Sequence, residues 1–273
     1  MGKWLIALLA ASAGLAAAAP SAHVVVATTA YATQRLHGHG TTDLNVSCRR
    51  GFVAVSGGVA KPARDARLLR VEPVGTRSFA FRFANLGAAA RVTVAVACRR
   101  SSASGPELRQ TRVERRLVVP AGGFVTAALS CPRRTTPAGF GVDLRGQDVT
   151  LRRAIANLRG FAFTVRNGTE KPTRVAVYGN CLTAVRAAGA AAEALRVEIT
   201  SFTDLVAAGS RQVRHICRKG WLSLGTGYSL RRPALDVTGA AAVGARGRWR
   251  VENASGEDAQ VLLQLVCGRL GFG

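Results

Sequence analysis

The chain of 273 residues carries 38 Lys and Arg against 15 Asp and Glu, a formal net charge of +23, and 48% of it is hydrophobic. That hydrophobic share supports a packed core and excludes global disorder, while the length accommodates one large β domain or two to three small ones. The charge invites nucleic acid, but only 6% of residues are aromatic and they fall at apparent core positions, so no stacking platform for a specific nucleic acid is expected.

The basic balance consists of 34 Arg and only 4 Lys. High-GC coding explains Arg in place of Lys, but not the shortage of acids. The charge is spread along the chain: +9 over residues 23–100, +8 over 101–181 and +5 over 182–273.

Residues 1–22 read as a signal peptide and its cleavage region. Met1-Gly2-Lys3 gives a short positive start, Trp4 to Ala18 is apolar or small, and Ala16 to Ala19 offers a small-residue cut site. Cleavage is expected after Ala18, with Ala22 as the alternative. The apolar core is too short for a comfortable span, and nothing later is apolar enough to cross a bilayer. The expected product is secreted, in surroundings where disulfides persist.

Beyond the leader the cysteines set a period. They stand at 48, 98, 131, 181, 217 and 267, so three pairs are each separated by 50 residues. Six cysteines allow fifteen connectivities, and the repeated equal spacing favours Cys48–Cys98, Cys131–Cys181 and Cys217–Cys267. The expected domains are a first β repeat over 23–100, a second over 101–183 and a third over 184–273, which begins with an Ala-rich linker at Ala184 to Ala194.

Other residues keep the same frame. Ser56, Gly139 and Gly225 stand at one repeat position, and Gly58, Gly141 and Gly227 two residues later. Small residues there suit a strand crossed closely by another backbone, or a bulge. Phe81-Arg-Phe-Ala-Asn85, Phe163-Thr-Val-Arg-Asn167 and Trp249-Arg-Val-Glu-Asn253 alternate with a period of two, as strands do. Each asparagine is expected to turn the chain in a left-handed geometry. Returning strands follow, with Val92, Val94, Val96 and Cys98 on one face in the first copy. The fold class is therefore all-β: three tandem antiparallel sandwich-like repeats, each with one internal disulfide. An immunoglobulin domain is not indicated, because the expected Trp after the first cysteine and Tyr before the second are missing.

The pattern of Cys48 or Cys217 with a glycine three residues on, the paired small residues, the aromatic-to-Asn strand and the Val-rich run into the second cysteine resembles a cysteine-paired β repeat. Such repeats occur in uncharacterised secreted proteins of high-GC Gram-positive bacteria. The resemblance spans nearly all of residues 40–267 and implies a build and a location, with no catalytic activity or ligand.

One recurrent feature suggests binding. A basic doublet follows each first cysteine: Arg49-Arg50, Arg133-Arg134 and Arg218-Lys219. Arginine forks suit phosphate and carboxylate, so these doublets are the expected anion-binding residues. No catalytic constellation, metal site or cofactor is expected. His37 and His39 lack a third ligand, and His215 falls in phase with a core position. The expected function is a secreted, non-enzymatic protein that binds anionic cell-envelope polymers through basic turns. The alternative is an extracellular protein-interaction or inhibitor module presenting loops such as Ala60 to Arg70 or Ser101 to Gln110. No residue pattern fixes the oligomeric state.

Overall fold

A computed structural model describes residues 25–101, 107–185 and 193–272. The leader over 1–22 lies outside them, as do 102–106 and the middle of the Ala-rich stretch. The described residues form eighteen strands. The first six are β1 (Val25–Leu36), β2 (Thr41–Ser47), β3 (Val53–Lys61), β4 (Ala66–Val74), β5 (Ser78–Asn85) and β6 (Ala90–Ser101). Next come β7 (Glu107–Val119), β8 (Phe124–Ser130), β9 (Thr136–Asp143), β10 (Val149–Asn157), β11 (Gly160–Asn167) and β12 (Thr173–Val185). The last are β13 (Glu193–Val206), β14 (Gly209–Ile216), β15 (Leu222–Leu230), β16 (Leu235–Val243), β17 (Arg246–Asn253) and β18 (Ala259–Phe272).

The all-β class is as expected; three tandem, self-contained sandwiches are not what forms. The strands assemble into four sheets, ordered β1-β6-β3, β2-β5-β4-β9-β12-β7, β13-β18-β15-β10-β11-β8 and β14-β17-β16. Two of these cross the expected repeat boundaries, because β4 pairs with β9 and β10 with β15. The reason is edge pairing. β4 and β10 would otherwise expose a row of unpaired backbone groups, and the next segment supplies an antiparallel partner. The last third also returns to the first, with β16 packed against β3 and β6.

The small residues of the repeat frame permit this merger. A methyl added at Gly139 would lie 2.7 Å from Ser56 Cα and closer still to the Val55 carbonyl oxygen. One at Gly225 would lie 2.9 Å from the Ala138 carbonyl carbon, and one at Gly58 would lie 2.9 Å from that of Ala240. Strands β3, β9 and β15 thus meet backbone to backbone, as the sequence suggested. One continuous core extends through all three segments, with Phe81, Phe163 and Trp249 at equivalent, fully buried places. Arg82 on the opposite face of β5 stays exposed, as a period of two requires.

All three expected cystines form, with Cα separations of 5.7, 5.7 and 5.8 Å. Each joins the end of the second strand of its segment to the sixth.

The frame asparagines act differently from the expectation. None of the three has a positive φ. They are buried, and their amides bridge two connections at once. Asn167 Nδ2 donates to Val119 O at 3.2 Å and Lys171 O at 2.8 Å, and its Oδ1 accepts from Thr169 N at 2.9 Å. Asn253 does the same to Val206 O and Glu257 O, and Asn85 to His37 O and Ala88 O. Holding two chain crossings in place needs an amide's two donors more than it needs left-handed backbone. The span 60–70 is also not a long loop: only Pro62 to Asp65 separate β3 from β4. Of 101–110, Ser101 ends β6 and residues 107–110 begin β7. Of the Ala-rich stretch, Ala184 and Val185 end β12 and Glu193 and Ala194 begin β13.

Candidate functional site

The basic doublets occupy three equivalent turns, each joining the second strand of its segment to the third, and all six side chains are exposed. The turn geometry is local. Phe52 N donates to Arg49 O at 3.1 Å, Thr135 N to Pro132 O at 3.1 Å and Trp221 N to Arg218 O at 3.0 Å. Gly51 and Gly220 take the left-handed conformation that closes the turn, with φ of 83° and 79°. The second turn has no glycine, so Arg134 itself adopts φ of 64°.

Each turn is pinned beside its cystine. The amides of Cys48, Cys131 and Cys217 donate at 2.8 Å to the carbonyls of Arg77, Arg159 and Ala245. A third arginine therefore stands against the first and second doublets, and Arg77 Nη2 returns a bond to Cys48 O at 2.9 Å. Arg100 lies over the Phe52 ring at 4.8 Å, and Arg269 over the Trp221 ring at 5.0 Å. These are equivalent pairs, each formed by the second residue after the second cysteine and an aromatic just past the doublet. Stacking of this kind holds a cation in place without neutralising it.

The three turns differ in how free their charge is. Arg218 is ion-paired with Glu198 and stacked over Trp221 at 4.7 Å, which leaves Lys219 as the less engaged cation of its doublet. Two clefts beside the third turn take Arg218 but no residue of the other doublets.

A second feature was not signalled by the sequence. A cavity of about 210 Å³ is lined by residues of all three segments, including Arg67, Phe140, Thr226, Tyr228, Asp236 and Glu252. Asp236 is open to solvent through the cavity yet surrounded by protein. This partial removal from bulk water pushes its carboxyl above the usual range, against the opposing pull of the Val237 backbone bond, Arg67 and Arg152. Burial likewise raises the Tyr228 hydroxyl, which donates to Leu151 O at 3.4 Å. The cavity offers two carboxylates, two arginines (Arg64 and Arg67) and apolar walls, a lining suited to a small polar ligand. Its residues lie far apart in sequence, and no local motif could have gathered them.

Other candidates resolve simply. Arg99, which follows a second cysteine, is fully buried, and burial lowers its pKa to about 10. Its guanidinium donates to Thr28 O at 3.2 Å, Cys98 O at 2.9 Å, Gly244 O at 3.1 Å and Ser223 O, tying the first segment to the third. His215 is half-buried and stacked on Phe202 with ring centroids 4.4 Å apart, so it packs with a ring, whereas the sequence suggested a fully buried side chain. Among the described residues no group of three potential ligands is placed to hold a metal, and no helix is long and apolar enough to cross a membrane. No protein-family model matches the chain, and no curated protein matches it.

Proposed function

We propose that this is a secreted, non-catalytic protein that binds anionic cell-envelope polymers through its basic turns. The supporting observation is that all six doublet side chains are exposed on turns fixed by a cystine, and two of those turns carry a further arginine. A polymer with regularly spaced charges meets cations whose backbone is already ordered, so less freedom is lost on binding. Guanidinium forks take phosphate or carboxylate oxygens in pairs. Three cystines fit the oxidising surroundings outside the cell.

The test is retention on immobilised teichoic acid across a salt gradient. The variant with Arg49, Arg50, Arg133, Arg134, Arg218 and Lys219 all changed to Ser should elute at markedly lower salt, with its β circular dichroism and cystines intact. Unchanged retention refutes the reading. Capture from cell fractions of one discrete protein that survives high salt would point instead to an interaction module.

A further inference from the structure

The two six-stranded sheets place equivalent residues in equivalent rows. Across the sheet containing β2, β5, β4 and β9, one row runs Asp43, Arg82, Arg70, Asp143. That row balances itself. Arg82 makes two 2.9 Å bonds to Asp43, and Arg70 Nε, buried without a hydrogen-bond partner, still faces the Glu72 carboxylate at 3.7 Å. Across the sheet containing β8, β11, β10 and β15, the corresponding row runs Thr126, Thr164, Arg153, Ser229. Both aspartates have become hydroxyl residues, and an arginine remains between them. The neighbouring row adds Arg166, paired across the sheet with Phe124 and Thr150, its guanidinium 5.8 Å over the Phe124 ring.

Phe124, Arg153, Thr164, Arg166 and Ser229 open onto a cleft of about 160 Å³ that Arg152 and Arg231 also line, and no carboxylate is among its lining residues. The Nε atoms of Arg153 and Arg166 are buried without a hydrogen-bond partner. A buried donor left unpaired is costly unless something supplies an acceptor. Arg152 has spent its own donors on Leu235 O at 2.8 Å, Pro233 O at 3.5 Å and Arg232 O, so beneath the cleft it contributes charge alone. Four guanidiniums around one small concavity, with no acid in its wall, repel one another until a counter-charge enters.

We propose that this cleft is a binding site for a tetrahedral oxyanion, phosphate or a phosphate ester. Arg153, Arg166 and Arg231 line it with guanidiniums, and the Thr164 and Ser229 hydroxyls supply neutral donors. The cleft is built from strands β8, β10, β11 and β15 and the connection after β15, and takes no residue of the three doublets, so the proposal stands or falls separately from the basic turns.

The test is titration of the intact protein with inorganic phosphate, followed through the NMR signals of the arginine Nε–H groups. Saturable shifts at Arg153 and Arg166, absent with chloride at equal ionic strength, are expected. Equal shifts with chloride overturn the assignment. Arg153→Gln with Arg166→Gln should weaken phosphate binding at least tenfold. A second variant protects this test against misfolding: Thr126→Asp with Ser229→Asp rebuilds the aspartates of the other sheet, and should also abolish binding while the cooperative unfolding transition is kept. Undiminished binding in that variant overturns the proposal. The six-Ser doublet variant should bind inorganic phosphate as the native protein does. Competition by a glycerol-phosphate polymer would identify the bound group as a chain phosphodiester. Binding of inorganic phosphate without such competition would identify free or terminal phosphate, and both outcomes support the oxyanion site.

Discussion

Gly139→Ala tests the central packing most directly. The new methyl carbon would lie 2.7 Å from Ser56 Cα, and nearer still to the Val55 carbonyl oxygen and Ser56 Cβ. Carbon atoms settle about 3.5–4.0 Å apart, so β9 must retreat from β3 by about 1 Å. No flexible side-chain tip can absorb the movement, because the obstructing atoms are backbone and a Cβ. β12 is paired with β9 and is carried back with it, which stretches the buried bond from Asn180 Nδ2 on β12 to Val55 O, now 3.2 Å, to about 4 Å, beyond hydrogen-bonding range. Overpacking costs about 1–3 kcal/mol and the lost buried bond about 1–3 more, so a destabilisation of about 2–6 kcal/mol is expected. Gly256→Ala is the control, since nothing lies within 4 Å of its added carbon and it has no positive φ. It should stay within about 0.5 kcal/mol of the native protein. Guanidinium unfolding followed by tryptophan fluorescence measures both. A Gly139→Ala protein within about 1 kcal/mol of native would refute the backbone-to-backbone contact of β3 and β9.

Three further predictions use the same unfolding assay. Replacing Cys131 and Cys181 together by Ala opens a loop of 50 residues and should cost about 4 kcal/mol on the chain-entropy model; a loss under about 1 kcal/mol would contradict it. Asn167→Ala removes two donated and two accepted bonds from a fully buried amide and should cost about 2–3 kcal/mol, while the exposed Asn45→Ala should cost almost nothing. Asp236 has a raised pKa, so the fold favours its protonated form, and its contribution to stability falls as the pH climbs from the ordinary aspartate range through the raised value. Asp236→Asn should flatten that fall in a series of unfolding midpoints against pH, and an unchanged pH profile would exclude Asp236 as its source.

The cystine pairing and most of the strand frame were legible in the sequence because both are local signals. A repeated spacing of 50 and the alternation from Phe81 to Phe83 around Arg82 need no knowledge of tertiary contacts. Ser56, Gly139 and Gly225 were legible as close-approach residues, though not which strands approach. The union of β4 with β9 was hidden, because either edge could equally have been left open or covered. The asparagines misled for a chemical reason: the residue that tolerates left-handed turns also carries the amide that bridges two crossings, and Asn167 serves the second purpose. The doublets stand out in the sequence, whereas Arg77 and Arg159 do not, since they meet the turns through carbonyls that accept from the Cys48 and Cys131 amides, with the Arg77 side chain bonding back to Cys48 O. The oxyanion cleft could not be seen until the register set Thr126 and Ser229 in the places where the other sheet has Asp43 and Asp143.

The contact between β16 and β3 has a consequence for the order of events in assembly. Gly58 is laid down early in synthesis, and Ala240, the backbone it must receive, emerges only near the end. Until then one side of the first segment waits uncovered, however well its own cystine has closed. The first two segments can pair as they emerge, but the molecule is finished only by its last third. A chain cut before β16 would therefore retain two intact cystines and still present an open strand edge to its neighbours.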